Sequence, residues 1–145
     1  MDPAFNYIYS DKDCTKPQAV GDVFSGNVVV SVFVVSLLLS LLLMINGSPH
    51  VKGNTKVALE EMVKIFHEEG IETEILDIGN KDIRGCIACY TCMEKGKCVF
   101  DDIVNESAAK FEACDGLVIA SPVYYASANA TLIAYLDRLF YSTHF

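Results

Sequence analysis

Basic residues are scarce in this chain of 145 residues. It contains 11 Lys and Arg against 19 Asp and Glu, which gives a formal net charge of -8. Proteins that bind nucleic acid present basic faces to the phosphates, and no stripe of Lys or Arg is present here, so we expect no nucleic acid partner. A chain of this length suits one domain, whose core is large enough to fold without disulfide staples.

Charged residues are absent from Val23 to Val51. Within this window, residues 28–45 are apolar except for serines, and the run reaches the roughly 18 to 20 residues that span a bilayer. A membrane anchor is therefore one interpretation. A cleaved secretory signal fits less well, because four Asp and only two Lys precede the run. We favour buried strand material, since valine favours strands and Leu41–Asn46 leads into a loop that needs a strand before it.

The pattern along the chain becomes regular after this run. Residues 1–27 are polar and are predicted to be a loose leader that ends in a turn at residues 25–27. Predicted strands cover 41–46, 71–78 and 117–120, the last broken by Pro122. Predicted helices cover 55–69, a segment from a cap at Asp101 or Asp102 to Ala113, and 128–141. This alternation predicts an α/β domain over 41–145, with a parallel sheet and helices on its faces, after an atypical leader over 1–40.

The loop NGSPHVKGNT, residues 46–55, follows the first of these strands and precedes a helix. Free backbone N–H groups, hydroxyls and the helix dipole suit an anion at such a place, and Ser48, Asn54 and Thr55 are the side chains positioned for it. The glycine spacing matches neither a Walker A loop nor GxGxxG, so a monophosphate is favoured over a diphosphate. The alternative is a polar connection that only caps the helix.

A second loop, SPVYYASANA, follows the strand predicted at 117–120. In open parallel sheets, ligands bind outside the carboxyl ends of the strands, and both loops fall at such ends. Tyr124 and Tyr125 beside a phosphate loop suit a flat ring system. The alternative is that they are core tyrosines with solvated hydroxyls.

Four of the six cysteines lie within thirteen residues, in the pattern C-x2-C-x2-C-x5-C. They are too close together to staple distant parts of the chain, so disulfides are the weakest interpretation, and zinc, an iron-sulfur cluster and metal-free thiols stay open. Cys114 is expected to be a small apolar filler and Cys14 an exposed thiol in the leader. His50, His67 and His144 are scattered, and no catalytic residue is expected among them. The four clustered cysteines are Cys86, Cys89, Cys92 and Cys98.

Three segments together resemble the flavodoxin-like FMN-binding oxidoreductases, in particular the iron-sulfur flavoproteins and their NAD(P)H-dependent FMN reductase relatives. The segments are INGSPHVKGNT, GCIACYTCMEKGKCVFDD and DGLVIASPVYYASANATLIAYLDRLFY, and the resemblance covers about residues 43–141. It implies that the four clustered cysteines hold a [4Fe-4S] cluster and that the chain binds FMN. By this resemblance, the phosphate of FMN lies on Ser48, His50, Asn54 and Thr55, and the isoalloxazine lies against Pro122, Val123, Tyr124 and Tyr125, with Ser127 or Asn129 nearby.

The resemblance also implies a function. We expect a cytoplasmic flavin-dependent oxidoreductase that passes electrons between FMN and the cluster, with reduced ferredoxin or NAD(P)H as donor, and that forms a dimer or tetramer. The alternatives are a cluster-free NAD(P)H-dependent FMN or quinone reductase and a non-catalytic fragment or binding module. Family members continue with further strands, which this chain is expected to lack, and the stretch 28–35 could cover the open edge of the sheet.

Overall fold

The computed structural model describes residues 18–25, 28–34 and 41–144. All the strands and helices predicted from residue 41 onwards are present in the predicted order, together with a short helix and a short strand that were not predicted. The elements are β1 Gln18–Ser25, β2 Val28–Val34, β3 Leu41–Asn46, α1 Asn54–Glu68, β4 Glu72–Asp77, α2 Thr91–Lys95, α3 Ile103–Ala113, β5 Gly116–Tyr124, β6 Ser127–Ala128 and α4 Ala130–Ser142.

Three parallel strands form the centre of the sheet. β3 pairs with β4 along its whole length and with β5 from Leu42↔Gly116 to Asn46↔Ala120. The strand order is β1-β2-β5-β3-β4, and β6 pairs with the end of β5. The carboxyl ends of β3, β4 and β5 therefore lie at one edge, where parallel α/β sheets place their ligand sites.

The side chains of β3 alternate between two apolar cores. Leu43 and Ile45 pack in a cluster with side chains from β5, α3 and α4. Met44, which points to the other face, packs with Leu59 of α1 and Val118 of β5. All five side chains are at most 1% exposed. Each fully buried side chain of this kind contributes roughly 1.5 to 3 kcal/mol to the stability of the fold. Helices therefore cover both faces of the sheet, which confirms the predicted flavodoxin-like α/β arrangement.

The helix ends follow the local signals in the sequence. Gly70 follows α1 with a φ of 75°, a conformation that glycine adopts without strain. Asp102 caps α3, since its Oδ1 accepts a hydrogen bond from the Val104 N–H at 3.1 Å. Both of these predictions are confirmed.

The predicted loose leader is wrong for residues 18–25. These residues form β1, which pairs antiparallel with β2 across a gap of two residues in the sequence, and β2 pairs antiparallel with β5. A two-residue connection allows only an antiparallel hairpin, so the sheet is mixed rather than wholly parallel. β2 covers the edge of β5, as expected for the stretch that begins at Val28. Cys14, residues 26 and 27 of the predicted turn, and residues 35–40 lie outside the described residues.

The apolar run that includes β2 and β3 is strand wherever the structure describes it. A membrane-spanning helix is not found in the described part of the chain. The strand interpretation of the run is therefore correct for residues 28–34 and 41–46.

The predicted break at Pro122 is wrong. β5 continues through Pro122 to Tyr124, and Pro122 is paired with Val28 of β2. The parallel pairing with β3 stops at Ala120. The missing N–H of proline therefore costs no hydrogen bond to β3, and the strand can continue.

Gly79 lies just beyond β4, where a side chain larger than glycine is expected to clash with the backbone. A Cβ at Gly79 would overlap the carbonyl oxygen of Gly47 and the backbone of Ser48, whereas a Cβ at Gly85 would meet no atom within 4 Å. Gly79→Ala is expected to lower the free energy of unfolding by about 1 to 3 kcal/mol, because backbone must shift. Gly85→Ala is expected to change it by less than about 0.5 kcal/mol. Urea unfolding followed by circular dichroism measures both, and equal stability of the two variants would contradict the predicted close approach.

Candidate functional site

The loop after β3 is anchored to the end of β4. The side chain of Asn46 is fully buried; its Oδ1 accepts a hydrogen bond from the Ser48 N–H at 3.0 Å, and its Nδ2 donates to Asp77 Oδ1 at 2.8 Å. Lys56 of α1 forms an ion pair with the same carboxylate at 2.9 Å. These contacts fix where the loop begins and where the first turn of α1 lies.

Within this loop, Ser48 shapes the backbone. Ser48 is buried, and its Oγ accepts from the His50 N–H at 3.2 Å and donates to the His50 carbonyl at 3.4 Å. Gly53 caps α1 in an extended conformation without any side-chain hydrogen bond to the helix. Since no side chain caps α1, its first N–H groups face the loop, beside the exposed Asn54 and the buried Thr55.

The second loop turns tightly and exposes its tyrosines. Tyr125 and Ala126 have φ values of 48° and 61°, and they connect β5 to β6 as a two-residue hairpin turn. Tyr124 is 47% exposed and Tyr125 is fully exposed. The alternative of two core tyrosines is therefore wrong. Pro122 and Val123 are half-buried at the base of this hairpin and Ser127 is exposed.

Asn129, the last side chain predicted near the flavin, has a structural role in α4. Its Oδ1 accepts hydrogen bonds from the Thr131 N–H at 2.8 Å and the Leu132 N–H at 3.3 Å. Its own N–H donates to Ser121 Oγ at 2.9 Å. Asn129 therefore ties the start of α4 to β5.

The two predicted loops lie side by side. The Gly47 N–H donates to the Ala120 carbonyl at 2.8 Å, and a Cβ at Gly47 would lie 2.9 Å from Leu132 Cδ2. The loop after β3 thus passes directly against the end of β5 and the first turn of α4. The structure brings the predicted phosphate loop and the tyrosine hairpin to one edge of the sheet.

The four clustered cysteines line one open pocket, which we call the cysteine pocket. The short helix α2 lies within the cysteine loop and is flanked by Tyr90 and Gly96, both in the left-handed conformation. This helix was not predicted from the sequence. The pocket is lined by Cys86, Cys89, Cys92 and Cys98 together with Ile87, Tyr90, Val99, Phe100, Arg138, Tyr141 and Ser142.

The thiols in the pocket differ in exposure. Cys92 is buried and Cys98 partly buried, whereas Cys86 and Cys89 are exposed. Hydrogen bonds from the side chain and the backbone of Thr91 lower the pKa of Cys89, which favours the thiolate that binds metals. Within residues 18–25, 28–34 and 41–144, no three His, Cys, Asp or Glu side chains are arranged to hold one metal ion.

Cys114 lies outside the pocket. It is half-buried after α3, its thiol donates to the Phe111 carbonyl at 3.1 Å, and burial raises its pKa. These surroundings agree with the predicted role of a small filler.

Arg138 of α4 forms the wall of the cysteine pocket and is 1% exposed. It forms two parallel hydrogen bonds with Asp102, at 2.7 and 2.8 Å. It also donates to the carbonyls of Arg84 at 3.1 Å and Phe100 at 3.3 Å, and its Nε donates to Cys98 Sγ at 3.2 Å. These contacts occupy all five N–H donors of the guanidinium.

The hydrogen-bond partners of Arg138 stabilise its positive charge. Burial disfavours the charged form, but the hydrogen bonds to Asp102 and Cys98 outweigh it, and the pKa of Arg138 is raised. Arginine remains charged in proteins in any case. A permanent positive charge therefore lies next to the Cys98 sulfur.

Asn105 of α3 holds the same stretch of the cysteine loop from the other side. Its Nδ2 donates to the carbonyls of Cys98 and Phe100 at 3.0 and 2.9 Å, and its Oδ1 accepts from the Cys98 N–H at 2.9 Å. The position of Cys98 is thus set by α3 and α4 together.

Sequence reasoning missed Arg138 and Asn105. One signal was available for Arg138: it lies three residues after Tyr135 and next to Leu139, which are both fully buried, so it falls on the apolar face of α4. A basic residue on such a face needs a buried partner. The sequence did not identify Asp102 as that partner, because the two are 36 residues apart.

Residues 41–145 match the family model of the NADPH-dependent FMN reductases. The chain belongs to this family. Membership confirms the resemblance and the flavodoxin-like α/β fold predicted from the sequence. It does not test the individual site residues, which stay predictions.

This FMN reductase family member is also similar to curated iron-sulfur flavoproteins. It is 40% identical to one from Methanocaldococcus jannaschii over 94 residues, which are 65% of this chain and 49% of that protein. It is 37% identical to one from Archaeoglobus fulgidus over 93 residues, 64% of this chain and 42% of that protein. It is 35% identical to one from Methanosarcina thermophila over 94 residues, 65% and 49% of the two chains. The chain spans about half the length of the curated relatives it matches, and no solved structure matches it significantly.

The ion pair between Arg138 and Asp102 is expected to contribute more to stability than a surface pair. Asp102→Asn keeps an oxygen that can cap α3 but removes the counter-charge of a buried guanidinium, so we expect a loss of about 1 to 3 kcal/mol. The Lys110–Glu74 pair has side chains that are 47% and 40% exposed. Lys110→Gln is therefore expected to cost less than about 1 kcal/mol. Urea unfolding compares the two, and equal losses would contradict the buried character of the first pair.

Proposed function

We propose that this protein is an FMN-dependent oxidoreductase that transfers electrons between FMN and a [4Fe-4S] cluster. The observation that carries the proposal is the cysteine pocket, in which all four cysteines of one loop line one cavity. Membership of the FMN reductase family supports the flavin, and similarity to proteins named iron-sulfur flavoproteins supports the cluster.

The sheet edge that holds the two predicted loops suits FMN. The uncapped start of α1 offers N–H groups to the phosphate, with Asn54 and Thr55 beside them and Ser48 and His50 in the loop. Tyr124 and Tyr125 are exposed on the neighbouring hairpin, where they offer aromatic surface to a flat ring. Bound FMN would supply the redox chemistry, and the residues of this chain would position it and exclude water.

The cysteine sulfurs of the pocket are the donor atoms that an iron-sulfur cluster requires. A [4Fe-4S] cluster is bound by four cysteine thiolates, so it needs four sulfurs placed around one cavity. Cys86, Cys89, Cys92 and Cys98 supply four sulfurs that line one pocket within a single loop. Arg138 donates a hydrogen bond to Cys98 Sγ, and hydrogen bonds from Thr91 lower the pKa of Cys89 and favour its thiolate form.

We propose reduced ferredoxin or NAD(P)H as the electron donor. We also propose that the protein forms a homodimer or homotetramer. Ferredoxin is favoured, because a one-electron partner matches a one-electron centre. A cluster-free NAD(P)H-dependent FMN or quinone reductase is the other outcome that the experiments below can give.

The FMN proposal predicts a phosphate-dependent effect of Asn54. Asn54→Ala removes an exposed polar side chain at the start of α1, so we expect FMN to bind about tenfold more weakly. Riboflavin, which lacks the phosphate, is expected to bind both proteins equally. Flavin fluorescence quenching under titration gives the dissociation constants. An equal loss of affinity for both flavins would show that Asn54 does not act on the phosphate.

The cluster proposal predicts a difference between two cysteines. The unsubstituted protein, purified without oxygen and reconstituted with iron and sulfide, is expected to contain four iron and four sulfide per chain, as the cluster formula requires. Cys89→Ser alters an exposed ligand and is expected to lose most of both, whereas Cys114→Ser, outside the pocket, is expected to keep them.

Iron and acid-labile sulfide analysis, together with the visible spectrum, measures this outcome. An unsubstituted protein that binds FMN but no iron would favour the cluster-free reductase. One that binds neither would favour a non-catalytic module.

A further inference from the structure

We propose that Arg138 is a positioning residue that raises the reduction potential of the cluster by donating a charge-assisted hydrogen bond to its ligand Cys98. The inference deepens the proposed function and rests on cluster binding in the cysteine pocket. It concerns a side chain that reaches the pocket from α4, 40 residues away from Cys98 in the sequence.

The guanidinium of Arg138 is fixed in place around this contact. Its two terminal nitrogens are held by both carboxylate oxygens of Asp102 and by the carbonyls of Arg84 and Phe100. The Nε–H is left pointing at Cys98 Sγ, at 3.2 Å. Because the other four donors are occupied, the side chain cannot turn away from the sulfur without breaking buried hydrogen bonds.

The surroundings make this contact electrostatically strong. Arg138 is 1% exposed, so water screens its charge little, and its guanidinium lies 5.0 Å from the centre of the Phe100 ring. Reduction adds one negative charge to the cluster and its thiolates. A fixed positive charge with a hydrogen bond to a ligand sulfur stabilises the reduced form more than the oxidised form, which raises the potential.

Arg84 provides a matched comparison within the same loop. Its guanidinium lies 5.3 Å from the centre of the same Phe100 ring, but Arg84 is exposed. Solvent screens a charge in that position. Arg84→Gln therefore removes the same charge as Arg138→Gln, and it leaves the Arg84 carbonyl in place for Arg138.

The test is a mediated redox titration of the reconstituted protein, followed by the cluster's absorbance and electron paramagnetic resonance signal. We expect Arg138→Gln to shift the cluster potential to a more negative value, and Arg138→Lys, which keeps the charge, to restore part of the shift. Arg84→Gln is expected to keep the potential of the unsubstituted protein. Iron content is measured for every variant, so that a changed potential is separated from a lost cluster.

Several results would overturn the proposal. A full cluster in Arg138→Gln at an unchanged potential would show that the charge does not act on it. If Arg138→Gln fails to hold the cluster, Arg138→Lys decides: an unchanged potential in that variant, or loss of the cluster there as well, would leave Arg138 with only a structural role. Absence of iron from the unsubstituted protein is a separate result, and it would remove the proposed function together with this inference.

Discussion

A buried guanidinium that must be paired governs the arrangement of the cysteine loop. Arg138 is bound to the carbonyl of Arg84 at the start of that loop, to Cys98 and Phe100 at its end, and to Asp102 at the start of α3. A buried charge without partners costs several kcal/mol, so α4 cannot pack as it does unless the loop closes around the side chain. The loop has no strand of its own, and this interaction gives it a defined shape.

The helix that carries Arg138 also connects the two candidate sites. Asn129 caps α4 and donates its N–H to Ser121 beside the tyrosine hairpin, and Arg138 lies nine residues further along. At the rise of an α-helix, this separation is roughly 14 Å along the axis. None of the residues predicted to bind flavin lines the cysteine pocket. The two candidate sites are therefore separate, and one helix packed on the sheet sets their relative position.

The central α/β unit follows from local patterns. Continuous burial along β3 matches its apolar sequence, Gly70 and Asp102 mark helix ends, and the spacing of the cysteines identifies a ligand set. Patterns of this kind arise from the side-chain period of a helix or strand, or from neighbours in the sequence. They can therefore be recognised from the sequence alone. The stretch that begins at Val28 was expected to cover the free sheet edge, but its antiparallel direction and the addition of β1 could not be recognised, because they depend on pairing between strands distant in the sequence. The continuation of β5 through Pro122 could not be recognised either, because it depends on the pairing of β5 with β2.

By itself, the sequence determined the order of β3, α1, β4, α3, β5 and α4, the two loops at the carboxyl ends of β3 and β5, and four cysteines close enough to share one site. Only the tertiary structure decided that the cysteines line one pocket, that Arg138 donates to Cys98, and that the two loops lie side by side. The reason is physical: side-chain period and capping act over a few residues, whereas the pairing of a buried charge is settled by elements that meet only when the helices pack on the sheet.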